Sequence, residues 1–120
     1  MTSERIKRLM QTSQDLPGST SDIKWEEHLV FSVATKMFVI FTMPDGFPFS
    51  LKVEPGWAEI LTQMEGVIPA PYLARHGWLQ VQDSKALSEE QMHDLIRDSY
   101  RLVTAKLSKR RQRELGLLED

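Results

Sequence analysis

HLVFSVATKMFVIFTMPDGFPFSLKV, residues 28–53, is the stretch whose reading decides the fold. Over 28–34, alternation puts Leu29, Phe31 and Val33 on one face, the pattern of a half-buried strand. A second strand over 36–42, KMFVIFT, is apolar almost throughout, as expected of a central strand covered on at least one side. Ala34-Thr35 makes a plain two-residue turn between them, and Pro44-Asp45-Gly46 is a strong hairpin signal. The next strand, FPFSLKV over 47–53, sets Phe47, Phe49, Leu51 and Val53 on one face. Pro48, Ser50 and Lys52 fall on the other. Pro48 cannot donate to a ladder, so this strand should begin at an edge or run free.

Working outward toward the N-terminus, Trp25 begins the ordered segment and Ser19 to Asp22 reads as a polar loop. Before it, Leu16-Pro17-Gly18 stops a helix over 3–15. That helix can be capped by Thr2 or Ser3 and carries Ile6, Leu9 and Met10 on one stripe. On the other side, Glu54-Pro55 opens a short helix with Trp57, Ile60, Leu61 and Met64 as its buried stripe, ended by Gly66. PAPYLARHGWLQV, residues 69–81, then combines conformational restriction with aromatic and hydrogen-bonding groups more densely than any other segment. It leads into a last strand over 78–82. Ser88 and Gln91 form a capping box for the final helix, with Leu87 and Met92 as its hydrophobic staple. Met92, Leu95, Ile96, Leu102 and Val103 mark the core face of that helix. SKRRQREL, residues 108–115, reads as a short extra helix, frayed from Gly116 onward. The expectation is one α+β domain over 1–120, a two-layer arrangement with helices on one face of a mostly antiparallel sheet, extended by a basic segment over 108–120.

With 120 residues, 41% hydrophobic and 27% charged, the chain is long enough to bury a core and is neither disordered nor of low complexity in composition. It has no Cys, which excludes disulfides, thiolate chemistry and Cys-type zinc sites. A net charge of -2 gives no global basic field, so attraction to nucleic acid must come from a local patch. No run approaches the ~20 apolar residues of a membrane helix, and the N-terminus lacks the apolar block of a secretory signal. A cytoplasmic protein without membrane association is expected.

Catalytic equipment is absent from the motifs. His28, His76 and His93 fall on a strand, a loop and a helix without metal-ligand spacing. No nucleophile elbow, Ser-x-x-Lys start or glycine-rich phosphate loop occurs. A non-enzymatic role without cofactor is expected. Basic residues accumulate over Arg97, Arg101, Lys106, Lys109, Arg110, Arg111 and Arg113, with no acid between 99 and 113. Such a run either contacts phosphates or forms a solvated face that complements its helix dipole. Lys36 and Lys52, on adjacent strands, join Tyr72, Arg75, His76 and Trp78 as a second candidate surface, since cations and aromatic faces hold phosphates and bases. Against this stands a reading in which Tyr72 and Trp78 are core residues and the lysines snorkel.

Leu16-Pro17-Gly18, Trp25, Thr35-Lys36-Met37-Phe38, Ser50-Leu51-Lys52 before a proline-led helix, PAPYLARHGW, and a closing helix with Ser99-Tyr100, Leu102-Val103 and Lys106-Leu107 occur in an order and spacing that resembles the MmcQ/YjbR bacterial family. Thr35 departs from the Gly common there, and the basic segment after Ser108 is variable. The resemblance implies helices against an antiparallel sheet, as in the bacterial frataxin fold, and a double-wing DNA-binding role. The family pattern is matched at Lys36, Lys52, Pro71, Tyr72 and Trp78. A frataxin-like iron role is not implied, because the first helix carries Arg5, Lys7 and Arg8 where acids would be needed.

The expected partner is therefore DNA, bound by a monomer. Wings at 33–36 and 43–48 would flank phosphate contacts from Lys36, Lys52, Arg75 and the Lys109, Arg110, Arg111 run. The alternatives are a protein- or peptide-binding module anchored on Tyr72 and Trp78, and a small-ligand pocket between helix and sheet at His76.

Overall fold

Lys36–Thr42 (β3) forms a central strand, as its apolar run predicts. The structure, a computed structural model, describes residues 3–118. Around β3 the chain builds an antiparallel sheet of order β1-β2-β3-β4-β6-β5, from Ser19–Lys24 (β1), His28–Val33 (β2), Gly46–Lys52 (β4), Val67–Pro69 (β5) and Trp78–Val81 (β6). Glu4–Asp15 (α1) and Glu89–Thr104 (α3) cover one face. Pro55–Leu61 (α2) and Lys109–Glu114 (α4) flank them.

The main core lies between the helices and the strand faces anticipated from alternation. Phe31, Val33, Phe49, Leu51 and Val53 are buried there with Ile6, Leu9, Met92 and Ile96. α3 begins with the expected capping box: the Gln91 N–H donates to Ser88 Oγ, and the Ser88 N–H donates to the Gln91 side chain. Ser3 caps α1, and Thr2 lies outside the described residues. The two long helices are tied by charge. Arg8 donates twice to Glu89 at 2.8 and 2.7 Å, and His93 bridges Glu89 and Thr12. The Arg8 guanidinium, then His93, holds the Glu89 carboxyl down to about 2.

Between β2 and β3 the register shifts: Phe31 pairs with Val39 and Ser32 with Met37, leaving Phe38 as the extra residue of a bulge. Ser99 of α3 is fully buried at this point. Its hydroxyl donates to the Phe38 carbonyl at 2.6 Å and accepts from the Lys52 N–H at 3.0 Å. A part-buried backbone donor and a buried acceptor on two strands thus find their partner in one helical side chain.

Several expectations are corrected. The Ser19 to Asp22 loop is part of β1, which pairs with β2 from Ser19–Val33 to Lys24–His28. It is polar because, as an edge strand with exposed faces, it needs only its backbone ladder. Trp25 stands in the β1–β2 turn and is exposed. α2 buries none of its residues: Trp57 and Ile60 point outward, and only Ala58 and Leu61 reach the core. Two turns of helix cannot wrap a wider stripe around this edge of the core. β5, Val67–Pro69, is a strand that no sequence signal marks. It is short, and its hydrogen-bonding partner β6 lies beyond a loop in sequence. The chain after α4 is not frayed at Leu117, whose N–H donates to the Gln112 carbonyl and whose side chain packs on the core. Residues 119 and 120 lie outside the described residues. Pro48 agrees with its expectation, since ladder pairing of β4 with β6 begins only at Phe49.

Ala34 and Thr35 both have positive φ, 49° and 67°, the twist that a two-residue hairpin demands. A β-branched residue is strained there, so Thr35→Gly is expected to stabilise the chain by about 1 kcal/mol, read from the urea midpoint. Ser99→Ala should lower stability by roughly 1–3 kcal/mol, because the buried Phe38 carbonyl and the part-buried Lys52 N–H lose their partner. An unchanged midpoint for the alanine variant would show that β3 and β4 close on each other without the hydroxyl.

Candidate nucleic-acid interface

Antiparallel register decides which candidate residues meet. The Ala34-Thr35 turn, Lys36 at the start of β3, Lys52 at the end of β4 and Trp78 at the start of β6 all lie at one end of the sheet, with Lys52 and Trp78 directly paired. Arg75 and His76 occupy the 3-10 turn Ala74–His76 immediately before β6. From β2 to β6 this end spans about 14 Å. Pro44-Asp45-Gly46 turns at the other end of β3, about 23 Å away along a seven-residue strand. The 33–36 and 43–48 turns therefore do not flank one surface.

The loop between β5 and β6 divides its two aromatics. Trp78 is buried and joins Val30, Ile40 and Ala70, with Met37 and Leu73 alongside, in a second small core on the sheet face opposite the helices. It cannot serve as a surface anchor, which removes half of the Tyr72/Trp78 partner surface. Tyr72 is 98% exposed and sits at φ 67°. Backbone hydrogen bonds brace the loop around it: the Leu73 and Ala74 N–H groups donate to the Ala70 carbonyl, and the Ala70 N–H donates to the Trp78 carbonyl. Gly77 closes the turn at φ 82°, donating to the Ala74 carbonyl, while its own carbonyl accepts from Val53. Arg75 Nε donates to His76 Nε2 at 3.3 Å, and both side chains are exposed.

Lys52 is half-buried, and Lys106 from the residues just after α3 comes against it. Contact with the Lys106 ammonium, followed by burial, holds Lys52 below the ordinary lysine value of 10.5. Among the described residues no carboxylate pairs with either of these two lysines. Lys36 is exposed and makes no ion pair among the described residues. α4 reaches the same end of the sheet through Leu115, which fills the space over Gly18 and beside Val33. There Arg110 and Arg111 both engage Glu114, at 3.4 and 3.1 Å, so their charge is partly used within the helix. Lys109 is exposed and has no such partner among the described residues.

Sequence reasoning placed Lys106 in the basic run but missed its pairing with Lys52, for which no local signal exists. His28 and His76 stand at opposite ends of the sheet, and His93 is occupied between α1 and α3. Among the described residues no three His, Asp or Glu side chains gather as metal ligands. Two surface depressions stand out, one of 610 Å³ between α2 and α3, the other of 390 Å³ beside Thr12, Glu89 and His93. Neither is lined by His76, so the expected pocket at that residue is not one of them.

A six-stranded antiparallel sheet with two long helices on one face and a cationic end defines an α+β domain of the kind anticipated. The chain belongs to the YjbR family, whose model matches residues 14–102. It is 31% identical over 88 residues to the Escherichia coli O157:H7 protein YbdF, described as uncharacterized, an alignment covering 72% of each chain. Among solved structures it resembles Deinococcus radiodurans protein DR2400, of domain family DUF419, at 30% identity and a TM-score of 0.82, over 94% of this chain and 88% of that one. A Pseudomonas syringae protein shares the fold at 21% identity and a TM-score of 0.66, over 80% of this chain and 96% of that one.

The Lys52–Lys106 contact has a measurable consequence. Because the Lys52 pKa is lowered on folding, the unfolded chain binds more protons in the window just below 10.5, and stability rises with pH across it. Lys106→Met should raise the Lys52 pKa toward its ordinary value and flatten that rise, as followed by NMR titration of the lysine side chains. Inorganic phosphate should shift Lys52 in the same direction. Identical Lys52 titrations in parent and variant would mean that the two ammonium groups do not interact.

Proposed function

We propose that this chain is a non-enzymatic nucleic-acid-binding domain, with DNA as its expected ligand. In this reading, Lys36, Lys52 and Lys106 contact phosphates at one end of the sheet, assisted by Arg75, His76 and Lys109. Tyr72 stacks on an unpaired base. The observation that carries the reading is Tyr72 itself: a large aromatic side chain held almost wholly in solvent by a strained backbone, on a braced loop beside two basic residues. Backbone strain of this kind costs of order 1–3 kcal/mol and tends to occur where function requires it. Aromatic platforms beside a cationic track are the usual means of holding single strands. Arg110 and Arg111 contribute less, because Glu114 already engages both. The two-wing arrangement is replaced by a single cationic end.

Fluorescence anisotropy of labelled single-stranded, double-stranded and RNA oligomers, titrated at several salt concentrations, tests the reading. Single-stranded DNA should bind in the micromolar range at low salt. Tyr72→Ala should weaken it by about 5- to 100-fold, the loss of one stacked base. The double variant Lys36→Ala, Lys52→Ala should reduce the log–log salt slope by roughly 1.4, two phosphate contacts at ~0.7 each on a single strand. Absence of binding at low salt, or a double variant that binds as tightly as the parent, would overturn the assignment.

A further inference from the structure

The 610 Å³ depression between α2 and α3 adjoins the cationic end through Val53 and Ala105 but differs from it in shape and charge. Its floor is apolar, with Val53, Leu61, Leu87, Leu95 and Leu102, and Trp57 stands at its rim, 53% exposed. Ile60 on α2 and Met64 just beyond it are also exposed. Leu102, expected in the core, faces this groove instead. The lining follows α3 from Gln91 to Ala105, about 21 Å at the helical rise. That is the length of a docked helix of four turns rather than of a compact metabolite.

The walls are acidic. From Val53 to Ala74 the chain carries Glu54, Glu59 and Glu65 and no Lys, Arg or His. Glu54, at the start of α2, lines the groove, makes no capping bond and has no ion-pair partner among the described residues. Across from α2, Asp94 and Asp98 line the α3 wall together with one cation, Arg101. Asp98 pairs with Arg101 and Asp94 with Arg97. The lining thus carries three carboxylates against one guanidinium, with Glu54 the one left unpaired among the described residues. A polyanion is repelled by such a rim. A second copy of this chain is a poor occupant too, because its basic helix α4 is fastened by Leu115 and Leu117 to its own core.

We infer that this groove docks a basic amphipathic helix of a partner protein, its apolar face lying along Leu95, Leu102 and Trp57 and its cations meeting Glu54, Asp94 and Asp98. Recognition follows helix-in-groove rules, with Trp57 as the aromatic anchor. The groove adjoins the proposed nucleic-acid interface where Val53 follows Lys52 and Ala105 precedes Lys106, and the two are distinguished by the sign of their charge.

The probe is a fluorescein-labelled model helix of about four turns, built of Leu on one face and Lys on the other, with a Leu/Glu helix of the same pattern as its control. The Lys helix should bind in the micromolar range and the Glu helix at least ~10-fold more weakly. Trp57→Ala should weaken the Lys helix by ~10-fold or more, and Glu54→Lys with Glu59→Lys should weaken it and reduce its salt dependence. A urea midpoint for each variant near the parent's confirms that the fold is kept, and the charge-reversal pair tests the groove even if the alanine variant does not fold. Chemical shifts should move in α2 and α3 and not at Tyr72 or Lys36. Equal binding of both helices, no binding of either, or indifference to both variants would overturn the inference. So would a concentration-dependent dimer in sedimentation that Trp57→Ala abolishes, which would give the groove to a second copy.

Discussion

Ser99 projects from the middle of α3 onto the two strands beneath it, where its hydroxyl connects the Phe38 carbonyl to the Lys52 N–H. The ladder between β3 and β4 carries no pair beyond Val39–Leu51 in that direction, and a part-buried donor and a buried acceptor remain just past it. Unpaired, each would cost about as much as a lost buried hydrogen bond. With Ser99 in place, the helix is set in one register on the sheet. Phe38 can then occupy the bulge, with its ring edge-on to Tyr100 at 5.4 Å. Tyr100 in turn donates to the Pro17 carbonyl, fastening the α1–β1 connection to the same helix. Lys52, whose backbone Ser99 holds, then carries its side chain to Lys106. The main core, the bulge and the cationic pair share this one contact.

Charge is divided over the surface in a way that the near-neutral total hides. The net charge is only -2, yet Lys36, Lys52, Lys106, Arg75 and Lys109 gather at one end of the sheet while the lining of the α2–α3 groove carries three carboxylates against one guanidinium. Glu54 follows Val53 directly and marks the border between the two. Local potential rather than total charge governs which partner approaches which face. The segment from Pro69 to Trp78 shows a comparable division within a few residues. Trp78 has the strand alternation that turns it into the second core, whereas Tyr72 sits in a turn whose backbone aims it outward.

Much of the architecture was legible in the chain because its signals are local. Alternation in 28–53 identified the three central strands and the faces that became core. Ser88 and Gln91 marked the start of α3, and the motif order marked the family. β1 was invisible because both its faces are exposed, so selection for its backbone ladder left no apolar pattern in Ser19–Lys24. The stripe on α2 was misread for the opposite reason: Trp57 and Ile60 have helical spacing, but the helix lies at the rim of the core with that stripe turned to solvent.

By itself, then, the sequence determined the strand faces, the caps, the class of fold and the pool of cationic and aromatic residues, since each depends on periods of two or three to four residues along the chain. Only the tertiary structure decided that Trp78 is buried and Tyr72 exposed, that Lys52 meets Lys106, that the two hairpin turns lie at opposite ends of β3, and that an acidic groove opens between α2 and α3. Those facts depend on register and on helix placement over the sheet, which join residues dozens of positions apart and leave no periodic trace in the chain.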